Sequence, residues 1–327
     1  MIQHHDTMYF VMPAARTWML MLACLCLLSC TPTPEPLRIG AIAWPGYEPL
    51  FLAEAEGQLA AAHIQVVEQP AASDVMRLLR NRSLEAAYLT LDETLTLLAE
   101  GLDLQVVLVT NRSRGADAVL VRPPRDSLAD LKGSRVGVEN TAVGGILLAA
   151  ALDRAGLTPA DLELRFIPTD RHVQAYRDGE VDALVTFEPT RSILIAADAR
   201  QVFDSSAIPD RILDVMVMRR EVTREREAQV RALVAAHFAG LALLRDQPDR
   251  ATEIIARHWH IPPEQVANSF RGLELTDLAA NRQLLGGAMP PLAERAREIG
   301  TLMQHQQLLN APPPTTQLAN ARYLPTD

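Results

Sequence analysis

From Leu37 onward, short apolar runs alternate with amphipathic stretches, and this pattern confines the chain to an α/β fold. Leu37–Ala43, Ile64–Glu68, Ala86–Thr90 and Leu104–Thr110 have the length and bounding residues of strands. Helical periodicity fills the gaps; in Asp92–Ala99, for example, Leu95, Leu98 and Ala99 share one face. A second set follows at Arg135–Val138, Leu164–Ile167, Ala183–Phe187 and Gln201–Phe203, with helices such as Gly145–Arg154 between them. The expectation is two α/β lobes, each on a largely parallel sheet, and a chain of 327 residues can supply a core to each. After Asp214–Met218 the pattern is mainly helical: Arg224–Arg245, Pro248–Trp259, Pro263–Phe270 and Pro290–Leu309, three of them with a proline suited to the first turn. Pro312–Pro314 closes the globule, and Thr315–Asp327 reads as a loosely packed tail.

Charge and cysteine content exclude several function classes. The formal charge of −9, with bases scattered and almost all arginine, argues against a nucleic-acid partner. All three cysteines fall between Met21 and Cys30, so the remainder holds no disulfide. Arg16 precedes the apolar stretch Trp18–Leu28, which is too short to span a bilayer and fits a processing signal. The polar stretch Met1–Thr7 is not needed by such a signal and suggests initiation at Met8 or Met12. The run Leu27-Leu28-Ser29-Cys30 resembles a bacterial lipobox. That resemblance implies a signal peptide over 1–29 and lipidation of Cys30, whose acyl chains would anchor the protein in the cell membrane or outer membrane, facing the periplasm or the exterior. Residues 30–36 then form a stiff, proline-rich tether.

One internal echo points to a site. Glu85-Ala-Ala-Tyr-Leu-Thr-Leu-Asp92 and Val181-Asp-Ala-Leu-Val-Thr-Phe-Glu188 both read as a buried strand ending in Thr-x-acid and opening a helix. Each places a hydroxyl and a carboxylate at the carboxyl end of a parallel strand, the edge where open α/β sheets bind ligands. Two such edges can face each other across a cleft. Helix capping alone also accounts for Thr90, Asp92, Thr186 and Glu188, and does not forbid ligand contact.

Leu37-Arg-Ile-Gly40, Trp44-Pro-Gly-Tyr-Glu-Pro-Leu50, Ala53-Glu-Ala-Glu-Gly57, Leu131-Lys-Gly-Ser-Arg-Val-Gly-Val138 and the turn Phe187-Glu-Pro189 occur in an order that resembles the solute-binding proteins of ABC importers. The likeness is to the nitrate/sulfonate/taurine and thiamine-precursor (NMT1-like) group and covers roughly residues 37–270. It implies a two-lobed periplasmic-binding-protein fold of type II whose lobes, joined by two crossover strands, clamp a small solute. The crossovers are expected near Ala118–Val121 and Asp214–Met218. Lobe 1 would then comprise 37–120 and 216–312, lobe 2 residues 121–215, and the tail 313–327. Such a binder has no catalytic group and no cofactor, acts as a monomer, and hands its solute to a permease driven by an ATPase. The same fold family includes sensory binders that feed a receptor kinase and a thiamine-pyrimidine synthase that uses pyridoxal phosphate.

Loops at the strand ends supply the candidate contacts. Trp44 and Tyr47 flank a Pro-Gly turn that can present both rings to a solute, or seal the lobe's upper core. Ser113 and Asp117 follow a strand, and a plain turn is the equal alternative. Thr141 and Gly144 lie between a strand and a helix whose free N–H groups can hold an oxygen. Asp214 sits beside the second crossover and reaches the cleft or pairs with an arginine. His258 and His260 stand on different helix faces, so no metal site is expected. Glu93 and Glu100 read as solvated. Lys132, the sole lysine, lies in a surface turn unsuited to a Schiff base. No Gly-x-Ser-x-Gly elbow or phosphate loop occurs. Asp92, Asp117, Glu188 and Asp214 outnumber unpaired bases near the cleft, which favours a planar, neutral or cationic nitrogen-containing solute over an anion.

Overall fold

The apolar runs pair into two mixed sheets, and the computed structural model describes residues 35–326 of the chain. Cys30, its signal segment and most of the tether lie outside the described residues. Both sheets belong to a single unit, Leu37–Asp327.

The first lobe opens with β1 (Leu37–Ala41), α1 (Glu48–Ala55), α2 (Gln58–Ala61), β2 (Ile64–Glu68), α3 (Ala72–Arg80), β3 (Ala86–Thr90), α4 (Leu91–Ala99) and β4 (Leu104–Ser113). The second contains β5 (Asp117–Val121), β6 (Arg135–Val138), α5 (Ala142–Ala155), β7 (Glu163–Phe166), α6 (His172–Arg177), β8 (Ala183–Phe187), α7 (Thr190–Ala197) and β9 (Arg200–Asp204). The chain then returns through β10 (Leu213–Arg219), α8 (Arg220–Glu225), α9 (Glu227–Asp246), α10 (Pro248–Trp259), α11 (Pro263–Ser269), β11 (Leu273–Leu275), α12 (Leu278–Leu285) and α13 (Pro291–His305).

Strand order is β11-β4-β10-β3-β1-β2 in one sheet and β7-β6-β8-β5-β9 in the other. Both repeat one scheme: three parallel strands, then a strand of opposite direction, then a fourth. The sheets are mixed instead of largely parallel, because β10 runs antiparallel to β3 and β4, and β5 antiparallel to β8 and β9. Apolar patterning reports burial, not strand direction, so the alternation could not reveal the reversal. β5 pairs wholly within the second sheet and β10 within the first, so the chain passes between sheets at 114–116 and 205–212. Ala118–Val121 and Asp214–Met218 are thus strands inside the lobes, with the passages just ahead of them.

β4, with nine of its ten residues buried, is covered on both faces. β11 pairs only with Asn111–Ser113 of β4, which leaves the edge at Val106 open. The C-terminal segment fills it: Val106 N–H donates to the Leu318 carbonyl (2.8 Å), and Asn320 N–H donates to the Val106 carbonyl (2.9 Å). Leu318, Tyr323 and Leu324 are buried, and the Tyr323 hydroxyl donates to the Thr223 carbonyl at 2.6 Å. The expected loose tail is therefore part of the first lobe's core.

Candidate functional site

The carboxyl ends of the parallel strands and the first residues of β5 and β10 meet in one recess between the sheets. Its walls carry Trp44, Tyr47, Thr90, Glu93, Asp117, Phe187 and Asp214, completed by Ile42, Ala72, Val143 and Ile212. A continuation is lined by Asp117, Glu139, Thr141, Gly144, His172, Thr186 and Phe187. This is the edge at which open α/β sheets bind ligands. The first recess encloses about 20 Å3, room for roughly one water.

Local sequence fixes each wall. Trp44-Pro-Gly-Tyr47 leaves β1 in a single 3-10 turn with proline in its first turn. Trp44 Nε1–H donates to Asn111 Oδ1 at 3.2 Å, the Tyr47 hydroxyl to Asp214 Oδ1 at 2.6 Å, and Asn111 Nδ2–H to Asp214 Oδ2 at 2.7 Å. A Cβ on Gly46 would lie 1.7 Å from Asn111 Oδ1, so only glycine lets this network form. Thr90 and Glu93 make a reciprocal capping box at the start of α4, which turns the Glu93 carboxylate back into the wall.

Contacts across the recess join the lobes, two of them at its walls. The Trp44 and Phe187 rings meet edge to face, 5.5 Å between centroids and 89° between planes. Glu139, just after β6, accepts from the backbone N–H and hydroxyl of Ser73 in the first turn of α3, both at 3.0 Å, while its other oxygen accepts from Thr169 at 2.6 Å. A second-lobe carboxylate thus caps a first-lobe helix that lacks a side-chain cap of its own.

The electrostatics are one-sided. Asp117 is 5 % exposed, Glu93 2 % and Asp214 2 %, and neither recess has an arginine or lysine on its wall. Burial pushes the Asp117 carboxyl up to about 7. Burial also lifts Asp214 to about 8; the hydrogen bonds from Tyr47 and Asn111 pull the other way, and the charges of Asp117 and Asp92 add to the rise. Burial and the neighbouring Asp92 hold Glu93 well above the usual carboxylate range. Asp117 Oδ2 and Glu93 Oε1 are buried without a hydrogen-bond partner. His172 is neutral, since burial lowers it to about 4; Nε2 faces the Ile167 carbonyl at 3.0 Å and Nδ1 the Thr186 hydroxyl at 3.0 Å.

The structure brings eight of the eleven candidates to the recesses: Trp44, Tyr47, Thr90, Asp117, Thr141, Gly144, Thr186 and Asp214. Three lie off the walls. Asp92 is fully buried in the first turn of α4. Ser113 contacts the Ser205 hydroxyl (2.7 Å) and accepts from the Asp117 backbone N–H (3.3 Å) at the passage between lobes. Glu188 accepts from Arg191 at 2.7 Å and from the Ser192 N–H at 3.1 Å, so it caps α7. Glu93 is buried instead of solvated, whereas Glu100 is exposed. The T-x-x-E spacing of Thr90 and Glu93 was the signal that could have placed it. Glu139 and Phe187 were missed too, although both stand at strand ends. The echoed segments end β3 and β8, which hold corresponding places in the two sheets. Away from the recess, Glu48 and Glu68 flank His258, and among the described residues no group of three such side chains is placed to hold a metal ion.

Residues 31–258 match the NMT1-like family. The chain belongs to that family. The sequence of this NMT1-like protein is 25 % identical over 72 % of its length to 75 % of the putative aliphatic sulfonates-binding protein of Escherichia coli. Its fold is that of the alkanesulfonate-binding protein of Xanthomonas axonopodis pv. citri (TM-score 0.74, 20 % identity, 87 % of this chain and 98 % of the other), a periplasmic-binding-protein architecture. The desulfurization enzyme DSZB shares the architecture (TM-score 0.61, 21 % identity, 88 % and 97 % covered).

Proposed function

We propose that this NMT1-like chain is a lipid-anchored, extracytoplasmic solute-binding protein that closes two lobes on a small organic solute and delivers it to the permease and ATPase of an ABC importer. The observation that carries this reading is the recess built from the ligand-binding edges of both sheets and bridged by Trp44–Phe187 and Ser73–Glu139. The recess is walled from both lobes and its side chains meet across it, so a solute enters when the lobes part, and the bound state is the one the solute bridges. The relatives named for aliphatic sulfonates agree with a binding role. An enzymatic role is disfavoured: the recess walls hold no cysteine or lysine, and Lys132 is exposed in a turn.

Two measurements test the reading. A solute found by thermal-shift screening should compact the soluble domain in X-ray scattering and perturb Trp44 fluorescence, and Trp44→Phe should remove most of that signal. An unchanged scattering profile at saturation would sink the clamp. Radiolabelled palmitate should enter the wild-type chain and fail to enter Cys30→Ala; equal labelling would remove the anchor.

A further inference from the structure

The two sheets place an aspartate at corresponding points. Asp214 stands near the start of β10 opposite Thr90, the last residue of β3, and Asp117 opens β5 opposite Phe187, the last residue of β8. Each belongs to the strand that runs against its sheet, one per lobe, and both line the recess. Asp214 is fixed by the Tyr47 hydroxyl and Asn111, which leaves further lone pairs on its oxygens. Asp117 Oδ2 and Glu93 Oε1, both from residues lining the recess, are buried and have no hydrogen-bond partner. The nearby bases are engaged elsewhere: Arg112 and Arg114 with Asp210 and Glu274, and Arg191 with Glu188. Trp44, Tyr47 and Phe187 add ring surfaces that attract a cation.

We infer that the solute is a small organic cation, an ammonium or amidinium, held between Asp117 of one lobe and Asp214 of the other against the rings of Trp44, Tyr47 and Phe187. This inference rests on the solute-binding reading above. A buried carboxylate without a partner is costly, and a charge-assisted N–H donor removes that cost. A sulfonate in the same place would face carboxylates with no base on the walls. A bound cation favours the charged form of both carboxylates in the closed arrangement, where without it burial leaves them protonated.

The test compares shape-matched probes on the whole soluble domain: benzamidinium against benzenesulfonate, and methylguanidinium against methanesulfonate, by calorimetry and thermal shift. The expected result is binding of a cation of this set and none of the sulfonates, with at least a tenfold loss of cation affinity in Asp117→Asn and in Asp214→Asn while circular dichroism stays unchanged. Tyr47→Phe, which keeps the ring but frees Asp214, should weaken the cation less than either aspartate variant. Sulfonate binding with cation rejection overturns the inference and leaves the solute-binding reading standing. Cation binding that both aspartate variants retain overturns the assigned residues. Failure of both probe classes also overturns the inference, whereas the clamp itself stands or falls on the scattering measurement.

Discussion

Asp117→Asn should make the protein more stable, and by an amount that grows with pH. The substitution keeps the shape of a side chain that is 5 % exposed and removes a carboxylate whose Oδ2 has no partner. Burial raises this carboxyl from 3.8 to about 7, which corresponds to about 4 kcal/mol between its charged and neutral forms. Below the unfolded value both states carry the proton, and the aspartate costs nothing by this route. Between 3.8 and about 7 the folded state holds a proton that the unfolded chain has released, so wild-type stability falls by about 1.4 kcal/mol per pH unit from this group. Above that window the loss is complete. Asparagine has no such slope. Urea unfolding at pH 4, 5.5 and 8 should show the variant near parity at pH 4 and ahead by about 4 kcal/mol at pH 8, a large fraction of an ordinary domain's stability. A variant less stable than wild type at pH 8, or a difference that does not change with pH, would refute the unpaired buried carboxylate.

Gly46→Ala should break the Trp44–Asn111–Asp214 network, because its Cβ would fall 1.7 Å from Asn111 Oδ1; a loss of about 1–3 kcal/mol in thermal unfolding is expected, and an unchanged Tm would contradict the contact. Glu139→Gln should leave the fold intact yet weaken the closed arrangement by about 1.4 kcal/mol, a tenfold weaker apparent affinity by calorimetry, since it removes the charge from the cap on α3; unaltered affinity would deny the interlobe bond a role. Burial alone would lower the His258 imidazole, but Glu48 and Glu68 raise it from 6.5 to about 10. Its stabilising contribution is thus full below 6.5 and lost as pH rises through about 10; His258→Gln should abolish that alkaline decline in urea midpoints, and a variant that keeps it would place the titration elsewhere.

The strands and most helices were legible because the central strands of each sheet are buried on both faces, and runs such as Leu104–Thr110 then stand out against polar loops. Proline-marked helix starts were equally readable, Pro248–Trp259 beginning and ending where its proline and final apolar residue place it; the expected Arg224–Arg245 helix instead starts at Glu227, after a break at Arg226, and the expected Gly145 start is Ala142. What the sequence hid is tertiary. β11 has three residues, too few for a period, and is held by pairing with β4. Leu318, Tyr323 and Leu324 come after a proline run that looks like an exit, yet they are recruited by the open edge at Val106. At the site, aromatic and hydroxyl residues at strand ends were found because topology alone locates that edge. The misplacements were mostly acids, with the Ser113 hydroxyl turned to Ser205 at the passage between the lobes. A carboxylate in a helix's first turn can face solvent, cap the helix or enter the wall, and only packing separates Glu93 from Glu188.

β10 has a consequence for how the protein is made. It lies between β3 and β4 in space but is synthesised after the whole second lobe. The second sheet draws all its strands from Asp117–Asp204, a continuous stretch that can assemble as soon as it emerges. The first sheet cannot: until Leu213–Arg219 arrives, β3 and β4 each present a bare edge and the apolar faces of α4 stay uncovered. As the chain emerges from its N-terminus, the half that appears first is therefore the half that matures last, and it waits in the form most prone to pair with the wrong chain. The delay before residues 205–219 emerge thus sets how long β3 and β4 stay open to mispairing, and these two edges are the natural target of any chaperone that protects the nascent chain.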